Sequence, residues 1–591
     1  AKRTAEVVAA LLTTSRILDR RFLQNTDTAA TGLKNPDGQV HALPVALLIL
    51  PALMARIALS ASATLAISKR GTNNWGRVFS LGSIIFTKNS YGNPSLKRRA
   101  SHSIASGVVG SNGGSFQTSE SDGARQFYKW RDKQKPRVLI LGGGFGGLYT
   151  ALRLESLEWL EDKKPQVVLV DQSEHFVFKP MMYELLSGEV DAWEVAPRFS
   201  DLLANTSVQF FQDRVKLLHP SNKFVLNGPR SSLGGIVYLE SGHVIEYDWL
   251  VLALGAEAKL DTVPGAAEYA FPFNTLEDVF KVENKLSSLE RNYFGKDAIR
   301  VVVVGCGYAG VELAATISER LQNKGMVQGV NVETTVCPTA PPGNREAALK
   351  VLESRDVQLF LGYFVNRIRK ANASEVVDKS MNTGVLQHTS GVHDSEKFLL
   401  ELQPSERGLK SQILEADLIL WTVGNKPALP QLEQGNGLQD LSLNARGQAE
   451  TDETLQVKGH PRIFAVGDSS TLRDSSGRIL PATAQVALQQ ADFAGWNLWA
   501  AINDRPLLPF RFQNLGEMIT LGQSDAAVSP SFIDGLTLEG PIGHTARKIA
   551  YLLRLPTDEH RLKVGVSWVA KFALDSVASL QSSLTKALSG S

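Results

Sequence analysis

The stretch that most constrains this chain runs from Pro136 to Leu154 and reads PRVLILGGGFGGLYTALRL. Arg137 to Leu141 is an apolar run suited to a buried parallel strand, and Gly142, Gly144 and Gly147 follow it at once in the order G-x-G-x-x-G. Leu148, Ala151 and Leu152 then recur at i, i+3 and i+4, which predicts a helix after the glycines. In that setting the first glycine permits the tight turn, the second lets the backbone approach a pyrophosphate, and the third lets helix pack on strand. The helix start offers free N–H groups to the phosphates. A second apolar run, Val167 to Val170, ends at Asp171, whose carboxylate is placed to accept hydrogen bonds from a ribose.

The pattern occurs twice. Residues 299–324 hold a strand IRVVVV, the glycines Gly305, Gly307 and Gly310, and apolar helix positions Val311, Ala314 and Ala315. Each copy closes with a strand ending in glycine, DWLVLALG at Gly255 and DLILWTVG at Gly424, so the two Gly-to-Gly spans are nearly equal. The segment RIFAVGD, Arg462 to Asp468, completes the first copy, with Gly467 and Asp468 set to meet the ribityl and pyrophosphate portions of a flavin dinucleotide. The fold class that follows is α/β, two Rossmann-like dinucleotide-binding domains with the second inserted in the first, and a C-terminal amphipathic region. The expected divisions are 1–131 leader, 132–270 and 441–513 FAD-binding domain, 271–440 NAD(P)H-binding domain, and 514–591 C-terminal membrane-associating region.

Composition narrows the chemistry. A net charge of +2 gives no reason to expect nucleic acid, and the two cysteines, Cys306 and Cys337, are not in C-x-x-C spacing. That excludes a disulfide scaffold, a zinc ribbon and an iron–sulfur cluster, and no metal-ligand cluster stands out. Redox chemistry here must ride on a bound organic cofactor. From Met54 to Ser119 there is no Asp or Glu, while the same residues hold 13 Ser and 8 Lys or Arg. An acid-free, Ser-rich, basic segment is the composition of an organelle transit peptide, and little fixed structure is expected before about Asp132.

Two adjacent dinucleotide domains bring a nicotinamide against a flavin, an arrangement for hydride transfer. The segment HFVFKPMMYELLSG, His175 to Gly188, is either a lining of the isoalloxazine ring or a core loop. After Asp468 comes PATAQVALQQA, in which Ala484, Gln485, Ala487 and Gln489 match the A-Q-x-A-x-Q pattern of type II NAD(P)H:quinone oxidoreductases. GGGFGGL, FKPMMYELLSG, ALGAE, GCGYAGVELA, WTVGNKP, FAVGD and AQVALQQ follow in that family's order from about Pro136 onward, so the chain resembles this family widely, above all its plastid demethylphylloquinone reductase branch. The resemblance implies a single-chain, non-proton-pumping enzyme with bound FAD that passes two electrons from NADPH or NADH to a membrane quinone. It implies that Ala484, Gln485 and Gln489 border the quinone and that Glu312 lies near nicotinamide and flavin, with Glu312 and Gln485 the catalytic candidates. It implies a chloroplast location, peripheral on a thylakoid or plastoglobule surface, with the mitochondrion as alternative, and leaves a homodimer open. Met181 and Met182 stand where the family often has paired leucines. The competing readings are a soluble FAD-dependent disulfide or ferredoxin reductase and a flavin-binding protein with little turnover.

Residues 544–591 hold seven Lys or Arg against three Asp or Glu, and Val566, Val569, Ala573, Val577, Leu580 and Leu584 fall at helical spacing near Trp568 and Phe572. This reads as a helix lying on a membrane surface, against the alternative of a helix packed on the body. For the nicotinamide cofactor, the offset of Asp171 from Gly142 carried to the second copy falls at Thr334, and nothing from there to Thr339 is acidic. Glu333 precedes that window, and Arg345 is placed to reach a 2′-phosphate. NADPH is therefore expected to serve at least as well as NADH.

Overall fold

A computed structural model of the chain describes residues 126–572, except 133, 221–233, 294, 296–297, 373–395, 407–409 and 433–440. The expected leader, up to residue 125, and Ala573, Val577, Leu580 and Leu584 of the tail stripe lie outside the described residues.

Strand β1 (Arg137–Leu141) is central because both its edges are paired: β2 (Gln166–Asp171) lies parallel on one side and β4 (Trp249–Leu252) on the other, with β3 (Gln209–Gln212) beyond β2. Helix α1 (Phe145–Ser156) connects β1 to β2 and buries Leu148, Ala151 and Leu154 against the sheet. Between β2 and β3 comes the short helix α2 (Tyr183–Ser187). A three-stranded antiparallel meander, Val215–Pro220, Gly235–Leu239 and His243–Tyr247, precedes β4.

The chain then leaves through Ala256–Ala258 and builds the same unit again. After helix α3 (Leu276–Arg291) come β5 (Ile299–Val304), α4 (Tyr308–Leu321), β6 (Gly325–Asn331), α5 (Pro342–Ser354), β7 (Gln358–Leu361), a second three-stranded meander and the closing strand β8 (Leu418–Trp421). β8, β5, β6 and β7 form one parallel sheet, with β5 in the place β1 holds in the first. The return strand Asn425–Pro427 pairs antiparallel with Ala256–Ala258, so the two connections run side by side. β9 (His460–Ala465) then joins the first sheet beside β4, and α6 (Ala484–Ile502) packs on α1, the Thr150 hydroxyl donating to the Ala491 carbonyl at 3.3 Å. A small antiparallel sheet, β10 (Glu517–Thr520), β11 (Ala526–Ser529) and β12 (Leu538–Glu539), leads into helix α7 (Gly540–Leu552). A last helix, α8, covers 558–572.

The repeat extends to how each sheet is started. The backbone N–H of Arg137 donates to Asp248 Oδ2 at 2.9 Å and the Asp248 N–H donates to the Arg137 carbonyl; Arg300 and Asp417 do the same at 2.8 Å. Each arginine also pairs with a glutamate two residues before that aspartate, Glu246 at 3.0 Å and Glu415 at 2.9 Å. The glycines divide their tasks alike in both copies. Gly142 and Gly305 hold φ of 98° and 95°, a region that penalises any side chain. A Cβ on Gly147 would lie 1.8 Å from the Gly142 carbonyl oxygen, and one on Gly310 would lie 1.7 Å from that of Gly305.

Two expectations are corrected. Ordered structure starts before Asp132: Gln126–Phe127 pairs parallel with His243–Val244, and the Trp130 indole N–H donates to the Glu246 carbonyl at 2.8 Å. The first domain is also rejoined earlier than residue 441, because Gln431–Leu432 already pairs with Leu217–Leu218. Short paired edges of this kind have no periodicity of their own for a sequence reading to detect.

Gly147→Ala and Gly310→Ala are each expected to destabilise the fold by about 1–3 kcal/mol, as overpacking does, read as lower thermal midpoints. Gly144→Ala should melt like the wild type, since a Cβ there meets nothing within 4 Å. Equal midpoints for Gly147→Ala and Gly144→Ala would show the helix–strand approach to be slack.

Candidate active site

Helices α1 and α4 both begin at a glycine, Gly144 and Gly307, with no side chain capping the first turn. Their leading N–H groups therefore remain available, and a Cβ on either glycine would point into open space. This is the shape of two diphosphate cradles, crowded where backbone meets backbone and empty where a ligand backbone must come. Around the first, Asp171 Oδ2 accepts the Gly143 N–H at 2.6 Å and Oδ1 accepts the Ser173 N–H at 2.8 Å. Burial pushes the Asp171 and Asp468 carboxyls up, opposed at both by the Lys179 ammonium. Desolvation in turn lowers Lys179, against the pull of Asp468, Asp278 and Asp171. Gly467, at φ 68°, donates its N–H to Gln490 Oε1 at 2.7 Å, so a glutamine of α6 holds this turn against the first cradle. The residues present fit an FAD: an open diphosphate cradle, a ribose acid and a second acid from β9 converge within one domain.

In the second copy the position equivalent to Asp171 is Asn331, a correction to the window beginning at Thr334. Gly142 N–H donates to the Val170 carbonyl and Gly305 N–H to that of Val330, which puts Asn331 where Asp171 stands. The Cys306 N–H donates to Asn331 Oδ1 at 3.1 Å, just as the Gly143 N–H donates to Asp171. The offset failed because α4 runs almost directly into β6, whereas nine residues separate α1 from β2. Glu333 falls two residues past the strand, and Cys337 lies in the loop that follows, at φ 42°. Arg345 is in the first turn of α5 and donates from Nη2 to the Pro338 and Ala340 carbonyls, so it organises the loop beside Asn331. Gly424, at φ 74°, matches Gly255, at 73°, at the exit of the closing strand.

Segment 176–189 packs as a core segment shared by the two domains. Phe176, Phe178 and Met181 pack into the core of the first domain, while Met182, Tyr183 and Leu186 pack into that of the second. The Phe178 ring meets Phe145, the first residue of α1, edge-on at 5.3 Å. Glu312, buried in α4, reaches the same segment: its Oε1 accepts the Thr520 N–H at 3.0 Å, and its carboxyl hydrogen-bonds Tyr183. Burial is the largest influence on Glu312 and pushes its pKa up to about 8, despite Thr520, Tyr183 and Arg547, which favour its charged form. A carboxyl that keeps its proton at neutral pH can act as a proton donor.

The A-Q-x-A-x-Q glutamines do something the sequence did not indicate. Gln485 donates to the Gly516 carbonyl and accepts the Leu515 N–H; Gln489 donates to the Gln513 carbonyl and accepts the Gln513 N–H. Both amides fasten 513–516 along α6, with Ala484 as the first residue of that helix. Sequence reading also missed Tyr183, Lys179, Gln490 and Arg547. The one signal for Arg547 was the spacing His544, Arg547, Lys548 and Tyr551 on a single helix face. Cys306 and Cys337 are buried, and burial pushes both thiols up to about 12, which makes them poor nucleophiles.

Residues 136–491 match the family described as pyridine nucleotide-disulphide oxidoreductase. The chain belongs to this family. Within it the chain stands among the type II NAD(P)H:quinone oxidoreductases. It is 66% identical to an alternative NAD(P)H-ubiquinone oxidoreductase of Arabidopsis thaliana, described as chloroplastic/mitochondrial, over 82% of this chain and 90% of that one. It is 37% identical to a demethylphylloquinone reductase of Synechocystis, over 74% and 96%. The structure of NDH2 from Plasmodium falciparum with NADH shares the fold, with a TM-score of 0.57, 16% identity and coverage of 73% of this chain and 97% of that one.

Asn331 gives this oxidoreductase a neutral side chain where a carboxylate would repel a 2′-phosphate. Asn331→Asp is expected to cut kcat/KM for NADPH about tenfold relative to NADH, roughly 1.4 kcal/mol of discrimination. A ratio unchanged by the substitution would place the 2′ position elsewhere.

Proposed function

We propose that this type II NAD(P)H:quinone oxidoreductase transfers two electrons as hydride from NADPH or NADH through FAD to a membrane quinone of the demethylphylloquinone or plastoquinone type, without pumping protons. The observation that carries this reading is the pair of like-built cradles flanking one buried, proton-holding Glu312. A disulfide reductase is disfavoured, since both cysteines are inert by burial and lie in the second domain. NADPH serves at least as well as NADH on the strength of Asn331. The test is direct: purified protein should be yellow, release FAD on denaturation, and oxidise NADPH with quinones but not with disulfides.

FAD held at the start of α1 by Gly144 and beside Asp171 and Asp468 would supply the two-electron redox chemistry between nicotinamide and quinone. The protein's part is placement, dryness and protons. The uncapped starts of α1 and α4 hold the two diphosphates, and Asp171 and Asn331 orient the two riboses. Segment 176–189 joins the two cores, with Tyr183 stacked on Phe273 at 5.4 Å between ring centres. Glu312, with Oε1 engaged by Thr520, carries its proton on Oε2 and can release it as the quinone is reduced. Gln485 and Gln489 hold 513–516 through one donated and one accepted bond each, and the second N–H of each amide remains to border the quinone.

Helix α8 supports a membrane-surface role. Its inner side is fixed: Val564 is fully buried, the Ser567 hydroxyl donates to Glu194 Oε1 at 2.6 Å, and Lys571 pairs with Asp191 and Glu194. Trp568 also turns inward, beneath the Lys548 ammonium at 4.5 Å, rather than joining the stripe. Leu562, Val566, Val569 and Phe572 remain 61–76% exposed on the outer side. No helix among the described residues is long and apolar enough to cross a membrane. Such a face suits the surface of a thylakoid or plastoglobule in a chloroplast, or else a mitochondrial membrane.

Two outcomes follow. Glu312 is protonated below about pH 8 and ionised above it, so quinone reduction should fall as pH rises through that value. Glu312→Gln should keep FAD, slow the reaction about a hundredfold and lack that limb; turnover equal to wild type across the range would remove Glu312 from the mechanism. Replacing Val566, Val569 and Phe572 by Ser should leave the reduction of a short-chain quinone intact but weaken liposome binding and long-chain quinone turnover. Undiminished binding to vesicles would make α8 purely structural. A cut at Lys563 would be a poorer test, because it removes the buried Val564.

A further inference from the structure

Among the described residues Arg547 is the largest side chain that is fully buried. It comes from α7, beyond the segment that matches the family. Its Nη2 lies 2.5 Å from Glu184 Oε1, and Glu184 is itself 2% exposed. Its guanidinium carbon stands 5.2 Å from the centre of the Tyr551 ring, and that ring meets Phe178 at 5.4 Å. Among the described residues its Nε and Nη1 have no hydrogen-bond partner. Burying such a pair costs several kcal/mol of desolvation, and apolar side chains of similar volume would pack the same space at least as well. The helix does not need it as an anchor, because His544 and Lys548 on the same face already bind Glu189 at 2.9 and 2.5 Å. What the pair does reach is the neighbourhood of Glu312: Gly543, one turn before Arg547 on α7, lies close against the Ala526 carbonyl, Ala526 pairs with Thr520, and the Thr520 N–H holds Glu312, while Tyr183, next to Glu184 on α2, hydrogen-bonds the same carboxyl.

We propose that Arg547 is a positioning residue for proton delivery: its buried pair with Glu184 sets how firmly Glu312 holds the proton destined for the quinone. This rests on the proton role of Glu312 given above. The charged and titratable groups facing Glu312 are Tyr183 and Glu184 from α2, Arg547 and Tyr551 from α7, and Cys337 from the turn after β6; Thr520 adds a backbone N–H from β10. Arg547 favours the ionised carboxylate and Glu184 opposes it. The C-terminal helix α7 thereby controls a carboxyl belonging to the nicotinamide domain, and the last helix before α8 becomes part of the reaction centre.

The test is a double-mutant cycle on the FAD-loaded full chain: Glu184→Gln, Arg547→Met, both together, and Arg547→Lys. Two quantities are read. One is the infrared titration of the protonated carboxyl band assigned to Glu312 by its loss in Glu312→Gln, recorded without substrates. The other is the alkaline limb of quinone reduction with a short-chain quinone. Glu184→Gln should move both to lower pH, and Arg547→Met should move both to higher pH, each by about one pH unit. Arg547→Lys should stay near wild type. Mere loosening would admit water to Glu312 and move every variant to lower pH, so the upward shift separates an electrostatic role from a structural one. Since Arg547→Met strands Glu184 without a partner, the comparison of Glu184→Gln with the double variant carries the same information in a neutral setting. A double variant titrating at or below Glu184→Gln overturns the proposal, as does an infrared band that none of the substitutions moves. An infrared shift supports it, and the kinetic limb separately decides whether Glu312 supplies the proton.

Discussion

The rest of the structure depends on one close approach, made twice: the third glycine of each loop lies against the carbonyl of the first, nearer than any side chain permits. That contact lets α1 and α4 lie low over β1 and β5, and aims each helix start at the space above the sheet edge. With the first and third positions locked by packing, the second glycine of each loop faces open space, which leaves room for a ligand's backbone to approach. The strand side of the same geometry is pinned by the Arg137–Asp248 and Arg300–Asp417 pairs, which set where the closing strand begins. Cradle and sheet register are thus one constraint, because a shifted closing strand would carry Ala253 or Thr422 away from the glycines they touch.

Two copies of such a unit make two nucleotide sites but not yet a reaction. The junction is made by a segment belonging to neither cradle. Residues 176–189 place aromatic side chains in one core and Met182, Tyr183 and Leu186 in the other, so the domains are joined by shared burial rather than by a surface contact. Helix α7 then zips onto this segment through Glu184, Glu189 and Phe178. The C-terminal elements therefore do more than present an apolar face outward; their inner surface completes the environment of Glu312.

That environment explains why a carboxyl can hold its proton near neutrality here. Glu312 has a backbone N–H, a phenol and a guanidinium at hand, each favouring its charge, and burial still prevails. Asp171 and Asp468 follow the same logic more weakly, since Lys179 stands opposite both. The motif glutamines illustrate another case, in which polar groups conspicuous in sequence also bind backbone, fastening 513–516 to α6.

By itself the sequence determined the two fingerprints, their nesting, the place of Asp171 at the end of β2 and the helical run through Val566 and Val569. These are local: a strand, three glycines and a helix lie within twenty residues, and a period of 3.6 or 2 is visible without knowing what it packs against. Only the tertiary structure decided that Asn331, and not Thr334, answers Asp171, because the equivalence is one of strand register and a connection shortened by several residues breaks any fixed offset. Only it showed that Trp568 faces inward while Val566 and Val569 face outward, since an amphipathic pattern gives two faces without saying where the body lies. And only it brought Arg547, Glu184 and Glu312 together from positions hundreds of residues apart, a meeting that no spacing encodes because it is made by the packing of three separate elements around one buried charge.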